Sequence, residues 1–170
     1  MSLHDYDDVH VVFLVTECTF LRYFIPLALT FRSRGSCVTL AVTRTNKLSS
    51  PHLFMEQINI LASTNDFQVS EIDNIKQADI IISVEGSGLS ILPERTLAAR
   101  IIVLTYMTDF VSLHDNYASH ADLVVFPGNY LPSLYNKTQG TNWCQGSPKY
   151  DIIPARDDVR KRLSIDDDKK

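Results

Sequence analysis

Two long apolar runs, separated by one helix-length segment, constrain this chain more than any other feature. The first run spans residues 9–16 and the second spans residues 37–42, with an apolar helical segment at residues 24–29 between them. Strands buried on both faces of a sheet lose the polar alternation of a half-solvated strand, so this pattern predicts a parallel strand–helix–strand unit. Gly35 follows the helical segment, and we expect it to end that helix in a left-handed conformation.

Shorter apolar runs at residues 67–70, 79–84, 101–106 and 122–126 predict four more strands. Helices or turns are predicted between them, at residues 51–63, 71–78, from 93 onward, at 110–121 and at 130–135, whereas residues 136–147 are polar and predicted to be a loop. The order predicts the α/β class: one doubly wound, mostly parallel, Rossmann-like sheet in a three-layer α/β/α domain. Ligands of such sheets bind beyond the carboxyl ends of the strands.

Composition narrows the class of protein further. The chain has 170 residues, 45% of them hydrophobic, which suits one domain with a full core. A net charge of −4 argues against a nucleic-acid partner. No apolar run approaches the roughly 20 residues of a transmembrane helix. Neither the cysteines nor the histidines have metal-ligand spacing, and the odd cysteine count predicts free thiols in the cytoplasm. We expect no metal and no cofactor.

Three segments resemble glycosyltransferases of the two-domain GT-B fold. Residues 26–39, PLALTFRSRGSCVT, are similar to the pattern P-x-x-x-L-A-x-x-L-x-x-x-G-H-x-V-T of that family. Residues 121–128, ADLVVFPG, resemble the last strand of its N-terminal domain. Residues 145–151, QGSPKYD, resemble the linker T-G-x-P-x-x-D, which glycerophosphate-polymer transferases and sugar 2-epimerases of the same fold share.

The resemblance implies a domain organisation and a function. Residues 1–8 would be a flexible N-terminus, residues 9–153 the N-terminal Rossmann-like domain, and residues 154–170 a linker helix and tail leading to a C-terminal domain. The chain would be the acceptor-binding half of an enzyme that moves a sugar from a nucleotide-sugar donor to an acceptor hydroxyl. Its partners would be the donor-binding C-terminal domain and a small-molecule or saccharide acceptor, and this half would be inactive alone.

Two departures from the family pattern leave the catalytic base open. Arg22 and Tyr23 stand where many members have a Gly-His pair, and residues 106–109 stand where others have His-Gly. A carboxylate at a strand's carboxyl end is then the candidate base. Asp109 is the first choice, followed by Glu17 and Glu85. The alternative for Asp109 is a helix N-cap, and the alternative for the two glutamates is a solvated loop position.

Further residues at the same strand ends are candidates for substrate binding. They are Thr16, Thr19, Tyr23, Gly86, Ser87, Gly88, Thr108, His114, Gly128 and Asn129. The Gly86-Ser87-Gly88 segment would let the backbone approach a sugar or phosphate, or it is a simple turn. It is not a G-x-G-x-x-G motif, which argues against NAD. For the aromatic residues near Tyr23, core packing is the alternative to a sugar-binding role.

Two other functions stay open from the sequence. One is a stand-alone α/β binding or regulatory domain, such as a receiver-like module, and the other is half of a nucleotide-sugar epimerase with the same fold. A receiver needs an acidic pair after its first strand and an aspartate at the end of its third. Thr16-Glu17 and Ser70-Glu71 occupy those places, which is a poor match.

Overall fold

The computed structural model describes residues 8–42, 51–92, 97–105, 121–127 and 141–144. Its strands are β1 (His10–Val15), β2 (Cys37–Val42), β3 (Gln68–Glu71), β4 (Gln77–Val84), β5 (Leu97–Leu104), β6 (Leu123–Phe126) and β7 (Thr141–Cys144). Its α-helices are α1 (Leu21–Ser33) and α2 (Pro51–Asn65), and 3-10 helices cover Cys18–Phe20, Ile72–Asn74 and Leu89–Ile91. The strands form one sheet in the order β3-β2-β1-β4-β5-β6-β7.

Every strand pair in this sheet is parallel. β1 pairs along its whole length with β2, from His10 opposite Cys37 to Val15 opposite Val42, and its other edge pairs with β4. Five consecutive residues of β1, 11–15, are fully buried, so the strand is covered on both faces. The predicted parallel, Rossmann-like α/β fold is therefore confirmed.

The predicted helix end at Gly35 is also found. Gly35 has a φ of +92°, and its amide N–H donates to the Arg32 carbonyl at 3.1 Å. This left-handed residue turns the chain from α1 directly into β2, because glycine adopts that conformation without a Cβ clash.

Helices α1 and α2 both cover the same face of the sheet. Phe24 of α1 and Ile58 of α2 belong to one buried cluster with Phe13 and Val15 of β1. The Phe24 ring lies 5.3 Å from the Phe13 ring, centroid to centroid, in a tilted arrangement typical of packed aromatic residues. The aromatic residues of α1 thus form the core, as the packing alternative predicted.

Short segments cover the opposite face of the sheet within the described part of the chain. Ile72 and Ile75, from the connection between β3 and β4, pack against Val12 and Leu14 of β1, and Leu89 lies beside them. The connection contains only the 3-10 helix Ile72–Asn74, which agrees with the short helix or turn predicted there. In residues 8–42, 51–92, 97–105, 121–127 and 141–144, the layers are therefore helices, sheet and short 3-10 segments.

The sequence prediction was wrong at one strand. Residues 136–147 were predicted to be a loop, but β7 (Thr141–Cys144) pairs in register with β6. Its residues Thr-Asn-Trp-Cys lack the apolar run by which the other strands were recognised, because an edge strand needs less burial.

β5 begins at Leu97, four residues before the predicted start. The segments predicted at 93–96, 110–120, 130–135 and 145–170, and the tail at 1–7, lie outside the described residues.

We expect the α1 contact with β1 to dominate stability. Replacing Phe24, which is 0% exposed, with alanine should cost about 3–5 kcal/mol because the cavity beside Phe13 cannot close fully. Ile60→Ala on α2 is the control, since Ile60 is 60% exposed and its loss should change stability by less than about 0.5 kcal/mol. Urea unfolding followed by circular dichroism measures both, and equal losses would contradict this packing.

Candidate functional site

The strand order changes direction between β1 and β4. The chain runs from β1 outward to β2 and β3, then returns to the other side of β1 and continues from β4 to β7. Because β1 and β4 are parallel neighbours, the loops that follow them leave the sheet side by side at its carboxyl edge. This is the topological switch point at which open α/β sheets bind their ligands. We call the part of this edge that the two loops form, residues 16–20 and 85–88, the switch-point crevice.

The loop after β1 leads through a 3-10 turn into α1. Glu17 precedes this turn in an extended conformation, and its carbonyl accepts the Phe20 amide N–H at 3.1 Å. The Glu17 carboxylate accepts a hydrogen bond from the Thr19 hydroxyl at 3.3 Å, and both side chains are exposed. Cys18 faces Gln57 of α2, and burial raises the pKa of its thiol above the usual value, so the thiol stays protonated near neutral pH.

The loop after β4 has an unusual backbone conformation. Glu85, Gly86 and Gly88 have φ angles of +53°, +69° and +88°. The Glu85 amide N–H donates to the Leu104 carbonyl of β5 at 2.9 Å, which fixes the start of the loop to the neighbouring strand. A left-handed conformation costs glutamate roughly 1–2 kcal/mol more than it costs glycine. A non-glycine residue at position 85 therefore lowers stability. Such strained backbone conformations are concentrated at functional sites.

The two loops contact each other directly. The Thr16 and Ser87 hydroxyl oxygens are 2.6 Å apart, so one donates a hydrogen bond to the other. Gly88 packs so closely on β1 that an added Cβ would lie 3.1 Å from Thr16 Cγ2 and 3.2 Å from Leu14 Cβ. Only glycine meets both the positive φ and this close approach. The predicted Thr16, Ser87 and Gly88 are thus brought together where the two loops meet.

Ser83 supports this arrangement and was missed in the sequence analysis. It is fully buried in β4, and its hydroxyl donates to the Ser87 carbonyl at 2.7 Å. Thr105 plays a comparable part at the next strand end, where its hydroxyl donates to the Val125 carbonyl at 3.1 Å. The signal was present in the sequence, because Ser83 interrupts the otherwise apolar run Ile80-Ile81-Ile82-Ser83-Val84.

The predicted site residues differ in how accessible they are. Glu17 and Thr19 are exposed, Thr16, Ser87 and Gly88 are partly buried, and Glu85 is 7% exposed. Tyr23 is 1% exposed and belongs to the core cluster, with the Arg22 guanidinium 5.0 Å from its ring centroid. Gly86 is buried. The remaining predicted residues lie outside the described part of the chain: Thr108, Asp109, His114, Gly128 and Asn129.

The described residues contain no group of three or more histidine, cysteine, aspartate or glutamate side chains that could hold a metal ion. Within the same ranges, no helix has the length and apolar character needed to cross a membrane. Cys18 and Cys37 are free thiols.

Comparison with known protein families, with characterised proteins and with solved structures found no match to this chain. The function is therefore inferred from the geometry of the switch-point crevice and the chemistry of its residues.

The strain at Glu85 gives a prediction about stability. Glu85→Gly should be more stable than Glu85→Ala by about 0.5–1 kcal/mol, because relief of the left-handed conformation outweighs the entropy cost of glycine. Both variants lack the carboxylate, so their difference isolates the backbone. The matched control is Glu71, which has a φ of −78°, and there the alanine variant should be the more stable one by about 0.5–1 kcal/mol.

Chemical unfolding of the four variants measures this difference. The same order of stability at both positions would contradict the left-handed conformation of Glu85.

Proposed function

We propose that the chain is the acceptor-binding half of a glycosyltransferase that moves a sugar from a nucleotide-sugar donor to an acceptor hydroxyl. The observation that carries the proposal is the pairing of the β1 and β4 loops at the switch point of an all-parallel sheet. This arrangement suits a domain whose strand ends form one wall of a cleft, as the resemblance to GT-B enzymes implies. The opposite wall would come from a C-terminal donor-binding domain.

The residues at the crevice suit the acceptor side of the reaction. In the transfer step, the acceptor oxygen bonds to the anomeric carbon of the donor sugar while the bond from that carbon to the diphosphate oxygen breaks. The acceptor hydroxyl proton passes to a base, and the diphosphate leaves with the bonding electrons. Glu17 and Glu85 are carboxylates at this edge, and either one would accept the proton. The third candidate base, Asp109, follows β5 in the sequence.

The donor side of the reaction needs different groups. A leaving diphosphate is stabilised by cations or by amide N–H groups aimed at its oxygens. The described loops of the crevice, residues 16–20 and 85–88, contain two carboxylates and no basic residue. Arg22, in the first turn of α1, lies outside these loops, with its guanidinium 5.0 Å from the Tyr23 ring centroid. This charge pattern supports the assignment of the diphosphate to another domain.

The strand order bears on the receiver-like alternative. Receivers have the order 2-1-3-4-5, whereas this sheet has 3-2-1-4-5-6-7, which extends the order of dinucleotide-binding Rossmann sheets. A receiver is therefore disfavoured. The epimerase alternative shares the fold, and it differs from a transferase in having no acceptor.

Titration of nucleotide sugars tests the proposed division of roles. By isothermal titration calorimetry, UDP-, GDP- and ADP-sugars should bind this chain only in the millimolar range or more weakly, because the diphosphate site is elsewhere. Thr16→Ala/Ser87→Ala should leave this weak binding unchanged. Micromolar binding of a nucleotide sugar that this double variant abolishes would overturn the proposal, since the crevice would then be a donor site.

A further inference from the structure

We propose that an apolar surface on β4, β5 and β6 binds an amphipathic segment of the same chain, residues 152–163. The surface lies on the helix-side face, which is the face of the sheet that α1 and α2 cover. Three observations support this contact: the face on which each crossover runs, the apolar side chains that the crossovers leave, and the residue pattern of the segment. The contact does not depend on the transferase role.

The two helices lie over only one half of the sheet. Among the strands, α1 packs mainly on β1 and β2, and α2 packs mainly on β3. Their crossovers run from β1 towards β3, whereas the later crossovers run the other way across the sheet, from β4 towards β7. Crossovers between parallel strands are right-handed in about 98% of cases. A crossover that runs in the reverse direction is therefore expected on the opposite face.

The described ends of the later crossovers lie on that opposite face. Leu89, from the β4–β5 connection, packs against a buried cluster that contains Val103 of β5 and Val124 of β6. Ala121, from the β5–β6 connection, belongs to the same cluster. Successive strand residues point to opposite faces, and the neighbours of Val103 and Val124 in their strands belong to the helix-side cluster. The two connections therefore leave the helix-side face of β4–β6 to another segment.

The helix-side face of these three strands is apolar. Its residues are Ile80, Ile82, Val84, Ile102, Leu104, Leu123 and Val125. Those nearest the carboxyl ends of the strands are buried, whereas Ile80, Ile102 and Leu123 are only half-buried. Arg100 borders this surface at the amino end of the strands and pairs with Asp122. Parallel sheets are normally covered on both faces, so we expect an apolar partner for the half-buried side chains.

Residues 152–163 have the residue pattern of such a partner. Their apolar residues, spaced three or four positions apart, are Ile152, Ala155, Val159 and Leu163. On a helix these positions form one apolar stripe, and every residue between Ala155 and Leu163 other than Val159 is charged. Asp157 and Asp158 precede the basic residues 160–162, an order that suits the helix dipole.

The segment follows the strand beside the surface. Residues 145–151 connect it to β7, which pairs with β6 at the edge of the sheet. An extended chain spans about 3.3 Å per residue, so this connection is long enough to reach β5. Neighbouring strands are about 4.8 Å apart and a helix is about 10 Å wide, so one helix covers two or three strands.

Methyl NMR of the full chain tests this contact without any substitution, because the residues on both sides carry methyl groups. With Ile, Leu and Val methyl groups labelled, we expect nuclear Overhauser effects from Val159 and Leu163 to Ile102 and Leu123. Ile60, which is 60% exposed on α2, is the internal control and should show no such effect with either residue.

A pair of matched variants tests the apolar stripe itself. Val159→Ser/Leu163→Ser should shift the methyl signals of Ile102 and Leu123, leave those of Ile72 on the opposite face unchanged, and raise the fluorescence of the dye ANS severalfold. Arg160→Ser/Lys161→Ser changes neighbouring charged positions and should do none of this.

Two results would overturn the proposal. One is the absence of any Overhauser effect between Val159 or Leu163 and the surface in the wild-type chain. The other is an effect seen only between differently labelled molecules in a mixed sample, which would assign the surface to a second copy of the chain.

Discussion

The hydrogen-bonded position of β1 between β2 and β4 determines the rest of the structure. β1 is a short strand of six residues, yet residues 11–15 have no exposed surface because neighbours lie on both edges and both faces. Its parallel pairing with β2 requires a helical crossover, and α1 provides it by packing Phe24 on Phe13. Its parallel pairing with β4 places two chain-distant loops at the same edge. The core and the candidate site therefore depend on the same strand.

The candidate site is a consequence of how this strand ends. Beyond Val15 the chain has no further ladder partner, and Thr16 bonds instead to the hydroxyl of Ser87. The β4 loop can approach so closely only because residue 88 is glycine in a left-handed conformation. The buried Ser83 hydroxyl donates a hydrogen bond to the Ser87 carbonyl and thereby holds the same loop in place. The crevice is thus organised before any ligand arrives, which reduces the ordering cost of binding.

The sequence predicted those parts of the fold that depend on continuous burial. β1, β2, β4 and β6 are nearly unbroken apolar runs, so their parallel packing could be recognised from hydrophobicity alone. β7 could not be recognised, because it is held in the sheet by backbone pairing with β6. Its side chains do not form an apolar run that would predict a buried strand. Strand starts were also less predictable than strand ends, as β5 shows.

The sequence indicated which residues follow the strand ends, but it could not show which of them meet. The carboxyl edge and the Gly86-Ser87-Gly88 segment followed from the general behaviour of α/β sheets. The adjacency of Thr16 and Ser87 needed the strand order, which places β4 beside β1 although the two residues are 71 positions apart in the sequence. The positive φ of Glu85 gives no signal in a sequence, because the residue that best suits such a backbone is glycine and not glutamate.

A designed cross-link tests whether the β1 and β4 loops lie side by side. Thr16→Cys and Ser87→Cys, introduced together after replacing the three native cysteines with serine, should form a disulfide under mild oxidation, because the two hydroxyl oxygens are 2.6 Å apart. Mass spectrometry of the peptides after proteolysis measures the bond. We expect rapid disulfide formation in the folded protein and much slower formation in urea. Two free thiols in a chain that is folded by circular dichroism would contradict the pairing of the β1 and β4 loops.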